Sequence, residues 1–318
     1  MQVSYDHQST HRSAIQVALL RWFAAHARDL PWRHTRDPYR IMVSEIMLQQ
    51  TQVDRVIPKY HAFLEQFPTL ESLAAAPTAE VIRAWARLGY NRRAVNMQRA
   101  ARAVLEQHAG RFPQAVAVLL DLPGIGPYTA GAIACFAFEQ DVAFLDTNIR
   151  RVVRRLLVAA DAAPSERELV GVAQSIIPPG QGWLWNQAIM ELGALICTAA
   201  TPACWRCPLC DMCLDYAARQ QADTQALDLF LAGEPARRPL KRVAEKRETP
   251  YAGSSRFYRG RVVDVLRRVP DGLTFSSLGP LLKETYTDAD DSWLRDLLAG
   301  LVRDGLVVLE QDWVRLPD

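Results

Sequence analysis

The chain lacks any run of the roughly 18 to 20 apolar residues that a membrane-spanning helix requires. Its first residues, MQVSYDHQSTHRSA, contain no apolar segment typical of a secretory signal. An excess of charge is also missing, because the formal net charge is only +2 over 318 residues. Bulk charge therefore does not indicate a nucleic-acid binder. We expect a cytoplasmic or nucleoid-associated protein with no membrane partner.

The distribution of charge says more than its total. Local arginine density supports phosphate contacts even when the net charge is near zero. On charge alone, a solvated and salt-bridged helix face is the simpler interpretation. Three stretches are dense in basic residues: Arg83, Arg87, Arg92, Arg93, Arg99 and Arg102; Arg150, Arg151, Arg154 and Arg155; and Arg237, Arg238, Lys241 and Arg242.

Cysteines are few, and their positions are uneven. Cys135 lies in the apolar run AGAIACFAF and is predicted to be a core residue. A disulfide framework is not expected in a chain without an export signal, so crowded cysteines point to a metal centre. The remaining five are Cys197, Cys204, Cys207, Cys210 and Cys213. The spacing C-x6-C-x2-C-x5-C suits either a [4Fe–4S] cluster or zinc, and spacing alone does not decide between them.

Apolar residues recur at helical spacing along the first 220 residues, which predicts an all-α region. After about residue 218 the composition becomes polar, and residues 219–252 are predicted to be a linker. Three helical segments and a hairpin with its turn near Gln311–Asp312 then predict a small winged-helix-like domain over 253–318. The clearest predicted helices of the first region are 40–52, 54–66, 78–87, 92–107 and 113–120.

The segment LPGIGPYTAGAI, residues 122–133, predicts a tight turn that enters a helix. Gly124 and Gly126 allow a close approach of the backbone to a partner, and Pro127 suits the first helical turn. The amides at a helix N-terminus can bind phosphate oxygens without reading sequence. With the predicted helix 113–120, the segment forms a helix–hairpin–helix, although a plain helix–helix turn is the simpler alternative.

Two carboxylates stand out by their surroundings. Glu45 lies among Met42, Ile46 and Met47, where desolvation would raise its proton affinity. Asp146 precedes a helical pattern and is predicted to be an N-cap, held ionised by amides and the helix dipole. Such a pair suits a general acid and a charge-stabilising base. A salt-bridged glutamate and an ordinary capping aspartate are the alternatives for each residue alone.

Seven segments in fixed order, between about residues 12 and 216, resemble the MutY family of adenine DNA glycosylases within the helix–hairpin–helix superfamily of iron–sulfur type. The segments are LPWR (30–33), SEIMLQQTQV (44–53), ARLGY (86–90), LPGIGPYTAGAI (122–133), LDTNIRRV (145–152), ELGALIC (191–197) and the cysteine set.

The resemblance implies a mainly α, two-lobed glycosylase fold with a small C-terminal winged-helix-like domain. A six-helix barrel over 32–140 would face a cluster lobe made of 1–31 and 141–218, and the target base would be flipped into the cleft. Iron–sulfur then outranks zinc. The implied [4Fe–4S] ligands are Cys197, Cys204, Cys207 and Cys213, with Cys210 a bystander.

The resemblance also implies roles at the reacting centre. Glu45 corresponds to the acid that protonates adenine N7 and later assists water. Asp146 corresponds to the carboxylate that stabilises the oxocarbenium-like sugar, as an ion or through a transient covalent bond. Asn148 would orient water or Asp146. Tyr128 stands where endonuclease III-type relatives have a nucleophilic lysine, so strand cleavage by β-elimination should be absent or weak.

Further residues correspond to those that hold the DNA. Arg28, Trp32, Arg33 and Gln187 resemble the lining of the adenine pocket, although core packing is the alternative for Trp32. Gln50 and Tyr90 resemble wedges that enter the stack beside the opposite base, and core packing is again the alternative for Tyr90. The implied partner is double-stranded DNA with an adenine mispair, bound by a monomer.

The implied activity is that of a monofunctional glycosylase removing adenine opposite 8-oxoguanine or guanine. The chain departs from the family in having no MutT-like domain after the cysteines, which leaves the preference between these two opposite bases open. Asn91 also stands where many members have a second tyrosine. Two alternatives are a mismatch glycosylase acting on thymine opposite guanine or an oxidised pyrimidine, and a non-catalytic, cluster-bearing DNA-binding or redox-sensing protein.

Overall fold

The computed structural model describes residues 3–159, 161–231 and 251–318, and it is mainly helical, as predicted. No helix among these residues is long and apolar enough to cross a membrane. The helices are α1 Val3–His26, α2 Pro38–Leu48, α3 Val53–Gln66, α4 Leu70–Ala75, α5 Thr78–Ala84, α6 Arg92–His108, α7 Val116–Leu119, α8 Pro127–Phe138, α9 Thr147–Leu157, α10 Glu166–Ser175, α11 Gly182–Leu195, α12 Leu214–Leu231, α13 Ser255–Leu266, α14 Phe275–Leu282 and α15 Asp291–Arg303. The strands are β1 Leu273–Thr274, β2 Val308–Glu310 and β3 Trp313–Arg315.

The chain divides into two compact units. The first, here the cysteine unit, takes residues Met1–Arg36 and Ala130–Ala244. Helix α11 packs against both α1 and α9 within it. Ile15 of α1, Val153 of α9 and Ile189 of α11 are fully buried, because each helix turns its apolar stripe toward the same core.

The second, here the hairpin unit, takes residues Asp37–Thr129 and Glu245–Asp318. Its core includes Phe63 and Trp85, whose rings meet edge to face at 6.2 Å. Helix α6 packs against α4 and α5, and α2 packs against α3. This unit therefore combines the turn before α8 with the C-terminal segment.

The C-terminal segment, residues 251–318, contains the three helices and the hairpin that the sequence predicts. Strands β2 and β3 pair antiparallel, and Gln311 adopts a φ of 56° in the turn between them. The sequence analysis missed β1, a two-residue strand that pairs with the other side of β3. The apolar core of the segment continues into Ala79, Ile82 and Val95 of α5 and α6, so the segment shares a core with those helices.

Two predicted helix ends were wrong for one physical reason. The helix predicted over 40–52 ends at Leu48, and the helix predicted over 78–87 ends at Ala84. Gln50 and Arg87 have φ values of 55° and 72°, which a right-handed helix cannot contain. Of the predicted linker, residues 219–231 continue α12, while 232–250 lie outside the described residues.

Candidate functional site

Glu45 lies on the buried face of α2, in the hairpin unit. Its side chain is only 2% exposed and is flanked along the helix by the buried Met42 and Met47. Tyr128, at the start of α8, donates its phenolic hydrogen to Glu45 Oε2 at 2.7 Å. The predicted acid is therefore a buried carboxyl group, as the sequence suggested, and it has a specific phenol partner.

Asp146 is the N-cap of α9, in the cysteine unit, as predicted. Its Oδ1 accepts from the backbone amide of Ile149 at 2.6 Å, and its Oδ2 accepts from Asn148 Nδ2 at 3.0 Å. The Asn148 amide is itself fixed, because its Oδ1 accepts from Arg151 at 2.8 Å. Both oxygens of Asp146 are thus held by donors from the first turn of its own helix.

Capping was expected to shift the pKa of Asp146 downward, but the pKa is shifted upward. Burial raises the pKa of Asp146, and this effect outweighs the hydrogen bonds from Ile149 and Asn148 and the nearby Arg151, which lower it. The carboxylate is therefore a stronger base than an exposed aspartate.

Three of the four predicted base-pocket residues, Arg28, Arg33 and Gln187, form one hydrogen-bonded group with Glu191. Arg28 donates to both carboxylate oxygens of Glu191, from Nε to Oε1 at 2.8 Å and from Nη2 to Oε2 at 2.9 Å. Arg33 donates to Glu191 Oε2 at 2.8 Å and to Gln187 Oε1 at 2.9 Å. Trp32, in the turn between the two arginines, is buried.

Glu191 is a central residue that the sequence analysis did not single out. Its side chain is 1% exposed. Burial acts to raise its pKa, but the hydrogen bonds of Arg28 and Arg33 prevail and lower the pKa to about 2. The available signal was the single charged residue in the helix GWLWNQAIMELGAL, since a buried charge requires a partner.

Gln50 and Tyr90, the predicted wedges, lie in two loops of the hairpin unit joined by Arg93. The guanidinium of Arg93 donates to Ile46 O at 2.8 Å and to Gln49 O in the first loop, and to Leu88 O at 3.1 Å in the second. Burial lowers the pKa of Arg93 to about 10. Tyr90 is 48% exposed, so the alternative of core packing is wrong for this residue.

The two glycines of the turn before α8 differ in what they require. Gly124 has a φ of 78°, and a Cβ there would meet Asn96 Cβ at 2.6 Å, so only glycine fits. A Cβ on Gly126 would have no neighbour within 4 Å. The protein itself does not demand glycine at 126. The helix predicted over 113–120 begins only at Val116, because Ala115 is extended.

The five clustered cysteines surround one small cavity in the cysteine unit, and all six cysteines are free thiols. Burial, together with the neighbouring Cys197 and Cys213, raises the pKa of Cys207 to about 12. No three His, Cys, Asp or Glu side chains among residues 3–159, 161–231 and 251–318 converge on a single metal ion. Cys210 lines the same cavity, but its Sγ contacts Asp211 Oδ1 at 3.4 Å.

Arg151 connects the cysteine loop to the capping aspartate. It donates to Cys197 O at 2.6 Å, to Gly193 O at 2.7 Å and to the Asn148 side chain. A Cβ on Gly193 would meet Asn148 Cβ at 2.7 Å, so the missing side chain lets α11 approach α9 closely.

The basic stretches are not simply solvated faces. Arg102 donates to Ala74 O at 2.8 Å, and Arg155 donates to Thr198 O at 2.7 Å. Together with Arg93 and Arg151, these side chains satisfy backbone carbonyls in loops and in the last turns of helices. The third stretch, 237–242, lies outside the described residues.

Comparison with known proteins gives concordant matches. A family model of HhH-GPD superfamily base excision DNA repair proteins matches residues 43–178. An adenine DNA glycosylase of Mycolicibacterium smegmatis is 41% identical over 299 residues, covering 92% of this chain and 92% of the relative. This match extends into the C-terminal segment, which is therefore not peculiar to this chain.

Solved structures agree on the fold. A thermostable thymine-DNA glycosylase superposes with a TM-score of 0.63 and 31% identity, over 66% of this chain and 99% of its own. Endonuclease III in a trapped covalent intermediate with DNA superposes with a TM-score of 0.57 and 24% identity, over 66% of this chain and 98% of its own.

Proposed function

Because the chain belongs to the MutY family of adenine DNA glycosylases, we propose that it removes adenine mispaired with 8-oxoguanine or guanine in duplex DNA, as a monomer. The observation that carries the proposal is the match to the M. smegmatis enzyme over 92% of both chains. The buried carboxyl group of Glu45 and the capped carboxylate of Asp146 supply the two groups that the reaction needs.

Glu45 acts first, as the general acid. It delivers a proton to N7 of adenine, and the C1′–N9 bond then breaks with its electron pair moving into the protonated purine. Tyr128 donates to Oε2, so we place the transferred proton on Oε1. After proton transfer, the same hydrogen bond stabilises the carboxylate, which can then take a proton from the attacking water.

Asp146 stabilises the oxocarbenium-like sugar left at C1′. Asn148 and the Ile149 amide orient its oxygens, and their hydrogen bonds lower its pKa against the larger, opposite effect of burial. A negative charge in a partly desolvated site interacts strongly with a developing cation. Asn148 is therefore assigned as a positioning residue that acts through Asp146.

Gln187 is proposed to contact the extruded base. The hydrogen bond from Arg33 determines the orientation of its side-chain amide. Arg33 has only donors, so the Gln187 atom that faces it must be the carbonyl oxygen. The amide nitrogen then presents donors on the other side, suited to an adenine ring nitrogen. Glu191 holds Arg33, and it thereby acts as a second positioning residue.

Tyr128 also limits the reaction. A phenol hydrogen-bonded to Glu45 cannot form a Schiff base with C1′, unlike a lysine amine. We therefore propose base removal without strand cleavage. Alkali-labile abasic sites should accumulate while the strand stays intact before alkali is added.

The cysteine cavity fits a [4Fe–4S] cluster. Four thiols with the family spacing surround one space, and none is consumed by a disulfide. Four thiolates arranged in this way repel one another unless a cationic centre separates them. Cys197, Cys204, Cys207 and Cys213 would hold the cluster, which would tie the loop after α11 to the start of α12.

The activity is tested with a duplex carrying one A·8-oxoguanine or A·G mispair, incubated with excess enzyme and then heated in alkali. We expect single-turnover release of adenine, its loss in Glu45→Gln, and duplex binding by that variant within about twofold of wild type. Adenine that stays intact with the wild-type enzyme would overturn the proposal.

Thymine is the alternative target, because the 31% identical thymine-DNA glycosylase matches 66% of the chain. The adenine-specific relative matches at higher identity and coverage, so adenine is favoured. T·G and thymine glycol duplexes assayed beside A·G decide between them. Preferential release of a pyrimidine would mean that Glu45 and the pocket residues act on a pyrimidine and not on adenine.

A further inference from the structure

The C-terminal segment, residues 251–318, is fixed to the loop that carries Tyr90. The Ala79 amide donates to Pro317 O at 2.7 Å. Arg267, which caps the C-terminal end of α13, donates to Ile82 O at 3.0 Å and to Asn91 Oδ1 at 2.8 Å. Together with the shared apolar core, these contacts place α13 beside the residue that follows Tyr90.

An open cavity of about 1040 Å³, here the basic cavity, lies at this junction in the hairpin unit. Gln50, Tyr90 and the first half of α13 line it. Arg256 donates to the Tyr90 hydroxyl at 3.3 Å and lies over the ring of Tyr251, with its guanidinium carbon 5.4 Å from the ring centroid. Arg256 of the C-terminal segment thus contacts the hydroxyl group of Tyr90, one of the two predicted wedges.

The basic cavity carries more positive charge than its own acids can neutralise. Its two aspartates are both occupied, Asp304 by Arg92 and Arg259, and Asp264 by Arg267. Arg93 is committed to backbone carbonyls. Among the residues that the structure describes, no carboxylate pairs with the three other arginines of its lining, Arg55, Arg87 and Arg256.

We propose that the basic cavity binds phosphates of the DNA strand opposite the target adenine, and that the C-terminal segment contributes Arg256 to this contact. Guanidinium groups that border an open space and have no carboxylate partner among the described residues suit a polyanion, even where they donate to neutral oxygens, as Arg55 does to Arg87 O. The strand is assigned because Gln50 and Tyr90, which line the same cavity, are proposed to enter the stack beside the opposite base. The inference rests on the proposed function in taking duplex DNA as the partner.

This mode differs from the usual one for winged-helix domains, where the third helix enters the major groove. The third helix of this segment is α15, which carries two aspartates and two arginines and so has no net positive charge. One of these two arginines, Arg295, lies over the ring of Phe275. The charge of the segment therefore favours α13 as the DNA-facing element.

The test measures equilibrium binding of the full chain to a duplex with one A·G mispair, between 50 and 200 mM KCl. A 2′-fluoro group on the target nucleotide prevents cleavage, because it destabilises the sugar cation. Arg256→Ala should lower the slope of log K against log salt by about 0.9, the value for one phosphate contact. Wild type should then lose about 3.5-fold more affinity than the variant over this range.

Two arginines of the same segment provide matched controls. Arg268 is exposed and does not line the basic cavity, and Arg295 lies on α15. Arg268→Ala and Arg295→Ala should keep the wild-type slope. Arg256→Lys should keep it as well, since a phosphate contact requires charge and not a planar fork.

An unchanged slope in Arg256→Ala, or a lowered slope in Arg295→Ala alone, would overturn the inference. Loss of binding that depends on which base stands opposite adenine would also overturn it, because a phosphate contact is uniform across sequences. Adenine release from unmodified duplex is measured separately. If wild type releases adenine but Arg256→Ala keeps the wild-type salt slope, only this inference is wrong. If Arg256→Ala lowers the salt slope but wild type releases no adenine, only the proposed function is wrong.

Discussion

Replacing Glu191 by glutamine should destabilise the cysteine unit by about 3 kcal/mol at pH 7. The pKa of Glu191 falls from 4.5 to about 2, a shift of roughly 2.5 units, and each unit corresponds to about 1.4 kcal/mol. The side chains of Glu191 and Arg33 are 1% and 8% exposed, so solvent screens this pair little, whereas Arg28 is 36% exposed and its pair is screened more. Removing one partner of a buried ion pair typically costs a similar amount, about 3 to 5 kcal/mol.

The pH dependence of this loss has a definite sign. A lowered folded-state pKa means that the stabilisation is fully present above pH 4.5 and declines as pH falls toward 2. The stability difference between wild type and Glu191→Gln should therefore be less than half as large at pH 3 as at pH 7. Urea unfolding followed by far-ultraviolet circular dichroism at both pH values measures it.

A matched control is Glu139→Gln, which removes a carboxylate paired with Arg36 in the same unit. Those side chains are 64% and 41% exposed, so the change should stay within about 1 kcal/mol. Equal destabilisation by the two variants, or a Glu191 effect that does not vary with pH, would refute the assignment of Glu191 as a buried, ionised anchor.

Three other outcomes are expected. Asn148→Ala removes a hydrogen bond that lowers the pKa of Asp146, so the acidic limb of the adenine-release rate should move to higher pH, and a limb that stays in place contradicts the role. Cys210→Ser should retain visible absorbance near 400 nm and iron content while Cys204→Ser loses both, and the reverse result would reassign the ligands. Arg93→Lys cannot hold both wedge loops, so it should slow release from duplex DNA roughly tenfold, which single-turnover kinetics measures.

Local patterns were sufficient for much of the fold. The Asp146 cap depends on residues within three positions, and the turn at Gln311–Asp312 depends on adjacent strands. Both were predicted from the sequence. The extent of α2 and α5 was overestimated because neither glycine nor proline marks Gln50 and Arg87, where the backbone turns to positive φ.

The site was predicted less completely, because its contacts join distant segments. Arg28 and Glu191 are 163 positions apart, so no spacing rule could pair them. Arg93 was counted only as local charge density, whereas its role is to satisfy loop carbonyls on both sides. Covariation between aligned homologous sequences can indicate such pairs, but one sequence alone cannot.

The bonds of Arg151 have a mechanical consequence for the cysteine unit. One guanidinium holds the carbonyl of Cys197 and, through Asn148, the oxygen of Asp146. A disturbance that shifts the first cysteine by a fraction of an ångström has a path of three hydrogen bonds to the carboxylate. Damage to the cysteine loop would then displace the Asp146 carboxylate before it unfolds the cysteine unit.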